Sequence, residues 1–78
     1  MDYVSQLYLS KAINSLREEH KGERMVTVLR MRFWENATLK DVADSMGVQI
    51  ERARQVEAKA LRLLRRKLSR TELADYLA

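Results

Sequence analysis

Apolar residues recur at the three- and four-residue spacing of helices along most of this chain, and no stretch shows the two-residue alternation of a strand. The chain has two glycines and no proline, so little interrupts the helices. The pattern predicts helices over residues 3–19, 23–34, 38–47 and 49–67, and a last short helix that begins near Ser69. The predicted fold is all-α, with four to five short helices and no wing.

Capping residues indicate where the short third helix begins and ends. Thr38 and Asp41 have the spacing of a capping box, in which each side chain accepts a hydrogen bond from the other residue's backbone N–H. Gly47 is expected to end this helix in the left-handed conformation. Gly22 is expected to mark the break before the second helix.

The first two helices differ in how clearly they predict a core face. The first helix carries apolar residues in two directions, so we expect it to be covered on two sides. In the second helix one face is expected to be buried, and it comprises Met25, Val28, Leu29 and Phe33.

The long helix has an apolar face and a basic face. Its apolar arc comprises Ala53, Val56, Ala60, Leu61, Leu63, Leu64 and Leu68. The opposite arc is polar and mostly basic, with Ala58 as its one apolar member. Glu57 falls inside the apolar arc, and we expect it at the edge of the core, paired with a basic neighbour.

Length and composition exclude most functional classes. The 78 residues allow one domain, residues 1–78, and the lack of cysteine excludes disulfides, thiol catalysis and cysteine-bound zinc. His20 is the one histidine, and no nucleophile triad, phosphate-binding glycine loop or metal-ligand cluster is visible. We therefore expect no enzyme, no catalytic residue, no metal and no cofactor. No membrane span or signal peptide is visible either, so a cytoplasmic, nucleoid-associated protein is expected.

The positive charge is concentrated in one segment. Residues 1–48 carry seven basic and seven acidic side chains, whereas residues 49–70 carry eight basic and two acidic ones. A segment of net charge +6 within a chain of net charge +4 is typical of a polyanion-binding surface.

A short capped helix, a turn at Gly47-Val48 and a second helix with a polar first face form the pattern of a helix-turn-helix. The N-terminal turns of the second helix of such a motif enter the major groove, where arginine and glutamine pair with guanine and adenine edges. The candidate base-reading residues are Gln49, Glu51, Arg52 and Gln55. The candidates for phosphates or for a protein partner are Arg54, Lys59, Arg62, Arg65 and Arg66.

Several stretches resemble region 4 of bacterial RNA polymerase sigma factors, most closely the primary class. They are residues 29–33 (LRMRF), 38–42 (TLKDV), 47–48 (GV) and 51–62 (ERARQVEAKALR), of which the last is highly specific. The similarity extends over residues 23–78, and residues 1–20 correspond to the preceding helix of that family.

The resemblance implies a concrete function and partners. Region 4 reads the −35 element of double-stranded promoter DNA with its recognition helix and docks on the flap of the polymerase β subunit. By position, Glu51, Arg52 and Gln55 would read base edges, and the cations that follow would meet phosphates or a DNA-bound activator. Met31 and Trp34 lie away from the core arc of their helix and are the candidates for the flap contact.

Three departures from the primary class indicate a divergent relative. Gln49 and Ile50 stand where the family has threonine or serine followed by arginine, so the base preference is expected to differ. The loop between Phe33 and Thr38 is about four residues shorter than in the primary class. The charged run 17–24 replaces the usual Leu-Pro before the second helix.

Two alternatives to a promoter reader stay open from the sequence. One is a sigma-like interaction module that binds the flap, an anti-sigma factor or an activator and reads DNA poorly. The other is a response regulator with the same motif, against which the sigma-like run argues. The chain is expected to be either a fragment of a longer factor or a standalone accessory. A homo-oligomer stays open but is not indicated.

Overall fold

The computed structural model describes residues 3–69, and the side chains of residues 6–68. The described part contains four α-helices: α1 (Tyr3–Ser15), α2 (Gly22–Trp34), α3 (Leu39–Met46) and α4 (Ile50–Ser69). A 3-10 turn, Leu16–Glu18, follows α1. The all-α prediction is confirmed, while the last predicted helix falls in residues 70–78, outside the described part.

All four helices contribute to one core. Its buried apolar side chains are Leu9, Ile13, Leu16, Met25, Val26, Val28, Leu29, Val42, Ala43, Ala53, Val56, Ala60 and Leu64. Three more members of the predicted apolar arc of α4, Leu61, Leu63 and Leu68, pack against this core while half-buried. The arc predicted for α4 is therefore confirmed.

The core face of α2 corrects the sequence prediction. Phe33 was expected in the core of α2 but is 48% exposed, whereas Val26, which was not part of the predicted face, is 1% exposed. In α1, Leu9 and Ile13 are buried, but Leu7 is 44% exposed. Tyr8, in the second apolar direction of α1, is half-buried, and the side chain of Val4 in that direction lies outside the described residues.

The junction before α2 depends on Gly22, which lies at the predicted break. The left-handed residue is Lys21, with φ 59°, while Gly22 is the first, buried residue of α2. A Cβ atom at position 22 would lie 1.9 Å from the carbonyl oxygen of Leu16. Only glycine lets the start of α2 approach the 3-10 turn this closely.

The caps predicted for α3 are confirmed. The Thr38 hydroxyl accepts from the Asp41 N–H at 3.1 Å, and the Asp41 carboxylate accepts from the Thr38 N–H at 3.0 Å. The Thr38 backbone bond, and then its side-chain bond, lower the pKa of Asp41. Gly47 ends the helix in the left-handed conformation, with φ 68°.

Candidate nucleic-acid interface

The turn between α3 and α4 fixes how α4 projects from the domain. The Gly47 and Val48 N–H groups donate to the last carbonyls of α3, at 3.3 Å to Asp44 and 3.0 Å to Ala43. Ala43 and Ala53 are both almost fully buried. Because their side chains are small, the two helices can cross closely. These contacts form the predicted helix-turn-helix, with α4 as its second helix.

The four candidate base-reading residues lie together at the beginning of α4. Gln49, Glu51, Arg52 and Gln55 are all exposed. Arg52 Nη1 lies 3.4 Å from Gln55 Oε1, so these two side chains share one side of the helix. The structure thus presents polar donors and acceptors at the tip of α4, as a major-groove reader requires.

Glu51 is held by Arg54 rather than by Arg52. Arg54 Nη2 donates to Glu51 Oε1 at 2.6 Å, and Arg54 Nε donates to Glu51 Oε2 at 3.1 Å. Both side chains are more than 60% exposed, so the pair lies in solvent. Arg54, a candidate for phosphate, is therefore engaged with a candidate base reader in the free protein.

The remaining candidate cations follow along the solvent side of α4. Lys59, Arg62, Arg65 and Arg66 are all exposed. Lys67 differs, because it is half-buried and its Nζ lies 3.9 Å from a carboxylate oxygen of Glu19. The cationic row therefore runs from the tip of α4 to residue 66.

A groove between the beginning of α2 and the side of α4 adds residues that the sequence reasoning missed. It encloses about 160 Å³. Its lining residues are His20, Lys21, Arg24, Met25, Arg52, Gln55, Val56 and Lys59. The described residues that line it include four cations and no carboxylate. The charged run 17–24 was the available signal, but its register against α4 could not be read from spacing.

An ion pair holds α4 against α2 behind this surface. Arg32 Nε donates to Glu57 Oε2 at 2.6 Å, and Arg32 Nη1 donates to the Ala37 carbonyl at 2.8 Å. The Glu57 side chain is 16% exposed, at the edge of the core, as expected from its place in the apolar arc. This pair joins α2, the loop before α3 and α4.

A separate apolar surface lies on α1 and α2. Trp34 is 43% exposed, its ring meets that of Phe33 edge-on, and the Arg30 guanidinium lies 5.8 Å from its centroid. Leu7 joins Arg30 and Trp34 along a shallow groove of about 220 Å³. Met31, the other candidate for the flap, is half-buried and packs against the core, so Trp34 is the more accessible of the two.

Comparison with known proteins decides which helix-turn-helix family this geometry represents. A model of the family described as sigma-70, region 4 matches residues 22–66, more than half of the chain. The chain belongs to the sigma-70 region 4 family. The match begins at α2 and includes α3, the turn and most of α4, so it contains the polar tip of α4 and the cations that follow it to residue 66.

Curated relatives of this region 4 domain are sigma factors. The chain is 46% identical over 59 residues to RNA polymerase sigma factor SigA from a Bacillus species, a match that covers 70% of this chain and 16% of that protein. It is 44% identical over 59 residues to SigA of Listeria monocytogenes, with the same coverage of each chain. It is 37% identical over 73 residues to sigB of Arabidopsis thaliana, covering 88% of this chain and 12% of that protein.

The region 4 domain spans only a small part of those relatives. The chain covers about 16% of the length of the SigA proteins it matches, and no solved structure matches it significantly. Region 4 is a domain of transcription factors, not of catalysts. Over residues 3–69, no helix combines the length and apolarity needed to cross a membrane.

Proposed function

We propose that this region 4 domain reads a −35-type promoter element, with the first turns of α4 in the major groove. The observation that carries the proposal is the exposed polar tip of α4, where Glu51, Arg52 and Gln55 project from a helix-turn-helix. Arginine at such a tip can donate to both guanine acceptors. Glutamine can donate to adenine N7 and accept from its N6 amino group, and glutamate can accept from cytosine.

The cationic groove supports a phosphate contact beside this tip. Lys21 and Arg24 on one wall face Arg52 and Lys59 on the other, without a carboxylate among the described lining residues. Four cations gathered at one groove favour an anion, and a phosphate of the DNA backbone is the anion next to any base read by α4. The groove therefore extends the proposed DNA surface from α4 to the start of α2.

The apolar surface around Trp34 supports a protein contact on another part of the molecule. Exposed Leu7 and Trp34 line one shallow groove, and the exposed Phe33 ring meets Trp34 edge-on. Aromatic residues are enriched in protein interfaces. We assign this surface to the flap of the polymerase β subunit, with Trp34 as the main contact and Met31 as the second candidate. Anti-sigma factors and activators are further partners, the latter near Arg62 and Arg65.

The proposed reading of DNA is tested by fluorescence anisotropy of the whole chain at several salt concentrations. One labelled duplex carries a −35-type element, and the other is its scramble. A preference for the first duplex that persists as salt rises supports base reading. Equal and steeply salt-dependent affinities would contradict it, and the domain would then be an interaction module with phosphate affinity alone.

Two arginine variants separate base contacts from phosphate contacts. Arg52→Ala is expected to weaken binding to the preferred duplex by about 1–3 kcal/mol and to reduce the preference. Arg62→Ala is expected to weaken binding to both duplexes and to lower the salt slope by about one. Lys11→Ala, which removes one positive charge from an exposed position of α1, is the matched control. Equal losses for both arginine variants on both duplexes would refute the assignment.

The flap assignment is tested separately, by titrating the isolated β flap into the chain. Trp34→Ala is expected to weaken flap binding at least tenfold and to leave DNA binding unchanged, because Trp34 lies outside the α4 surface. Arg52→Ala is expected to do the reverse. A Trp34→Ala variant that binds the flap like the wild type would overturn the assignment.

A further inference from the structure

Ile50 is a large apolar side chain at the first position of α4. It is 49% exposed, although its neighbours Val48 and Ala53 both pack on the core. Ile50 does not belong to the described residues that form the core or pack against it. Packing in the core therefore does not explain why position 50 is an isoleucine.

The surroundings of Ile50 are the hydrogen-bonding groups of the proposed reading surface. Ile50 and Arg54 are four residues apart and so share one side of the helix, while Glu51 lies next to both. Arg54 and Glu51 are joined by hydrogen bonds from the guanidinium to both carboxylate oxygens. An apolar patch one residue wide thus borders a polar surface at the end of α4 that would enter the groove first.

The major groove offers one apolar group that such a patch can contact. Each base pair presents donors and acceptors there, and thymine alone adds a C5 methyl group. Isoleucine cannot satisfy the two acceptors of guanine, whereas it can remove a methyl group from water. The chemistry of the side chain therefore favours thymine over guanine at the base it meets.

We propose that Ile50 is a specificity-determining residue that selects a thymine by contact with its C5 methyl group. This inference rests on the proposed function, since it requires α4 to lie in the major groove. It assigns to Ile50 a preference that the polar residues Glu51, Arg52 and Gln55 do not supply.

The first test selects duplexes from a pool with a randomised ten-base-pair window. The wild type is expected to select thymine at one position where Ile50→Ala shows no preference, with the other selected positions unchanged. Ile50→Arg is expected to select guanine at that same position, because arginine donates to both guanine acceptors. Circular dichroism checks that each variant is folded, which is expected because Ile50 is exposed.

The second test removes the methyl group alone. Deoxyuridine replaces the selected thymine, and the wild type is expected to bind about fourfold more weakly, which corresponds to about 0.8 kcal/mol for one methylene-sized group. Ile50→Ala is expected to bind both duplexes equally. The same replacement at the other thymines of the selected sequence is the control.

The outcomes separate this inference from the proposed function. A selected sequence without an Ile50-dependent thymine would overturn the inference and leave base reading by Glu51, Arg52 and Gln55 intact. So would an equal effect of deoxyuridine on the wild type and on Ile50→Ala. Failure of the wild type to select any sequence would overturn both.

Discussion

Replacing Arg32 by alanine should destabilise the domain far more than removal of an exposed ion pair. The Glu57 carboxylate is 16% exposed and would lose its partner at 2.6 Å, and the Ala37 carbonyl would lose its donor at 2.8 Å. Breaking a fully buried pair costs about 3–5 kcal/mol, and an exposed pair contributes about 0–1 kcal/mol. The Arg32 side chain is 36% exposed, so we place Arg32→Ala between these limits, at about 2 kcal/mol.

Urea unfolding followed by helical circular dichroism measures this loss. A loss of this size should lower the melting temperature by about 8–16 °C in a domain of this length. Lys40→Ala is the matched control, because Lys40 and Asp44 are about 70% exposed and 3.4 Å apart, and it should cost less than about 0.5 kcal/mol. Glu57→Gln keeps an acceptor for Arg32 Nε and should cost less than Arg32→Ala. The reasoning is refuted if Arg32→Ala and Lys40→Ala unfold at the same urea concentration.

Three further predictions concern the backbone and the caps, and urea unfolding checks each. Gly22→Ala should cost about 3 kcal/mol, because its Cβ would collide with the Leu16 carbonyl; a near-neutral result would contradict the close approach. Gly47→Ala should cost about 1–2 kcal/mol although the space around it is open, because φ is 68°, and Gly47→Asn should cost less, since asparagine tolerates that conformation. The lowered pKa of Asp41 gives stabilisation that is complete at neutral pH and is lost as the pH falls through the region below about 4. Asp41→Asn should lack that part of the acid dependence of the free energy of unfolding. Parallel plots of this free energy against pH for the two proteins would contradict the prediction.

The elements that local signals specify were predicted from sequence. The Thr38 and Asp41 spacing, the left-handed Gly47 and the apolar arc of α4 each depend on residues a few positions apart, and the structure has all three. Val26 and Phe33 show where this fails. Both are apolar residues of α2, and which of them is buried depends on where α1 and α4 pack, which no spacing within α2 can give.

Only part of the candidate site could be predicted, because spacing within one helix can be read from the sequence and packing between helices cannot. Residues on the first turns of α4 could be named because one helix presents them together. The cationic groove could not, because Lys21 and Arg24 meet Arg52 and Lys59 only after a left-handed residue and a close glycine contact set the path into α2. The Arg32 and Glu57 pair lies between these cases: the edge position of Glu57 was visible, but its partner, 25 residues earlier, was not.

The hydrogen bonds between Glu51 and Arg54 bear on how the domain would search a genome. Two opposite charges that satisfy each other at the tip of α4 contribute little long-range attraction to a random stretch of DNA. At a matching site both groups can exchange their internal partner for base or backbone atoms, whereas at a mismatched site the exchange leaves one of them without a partner. The Glu51–Arg54 pair would thus shorten the residence time of the domain on mismatched DNA sites more than its residence time on a matching site.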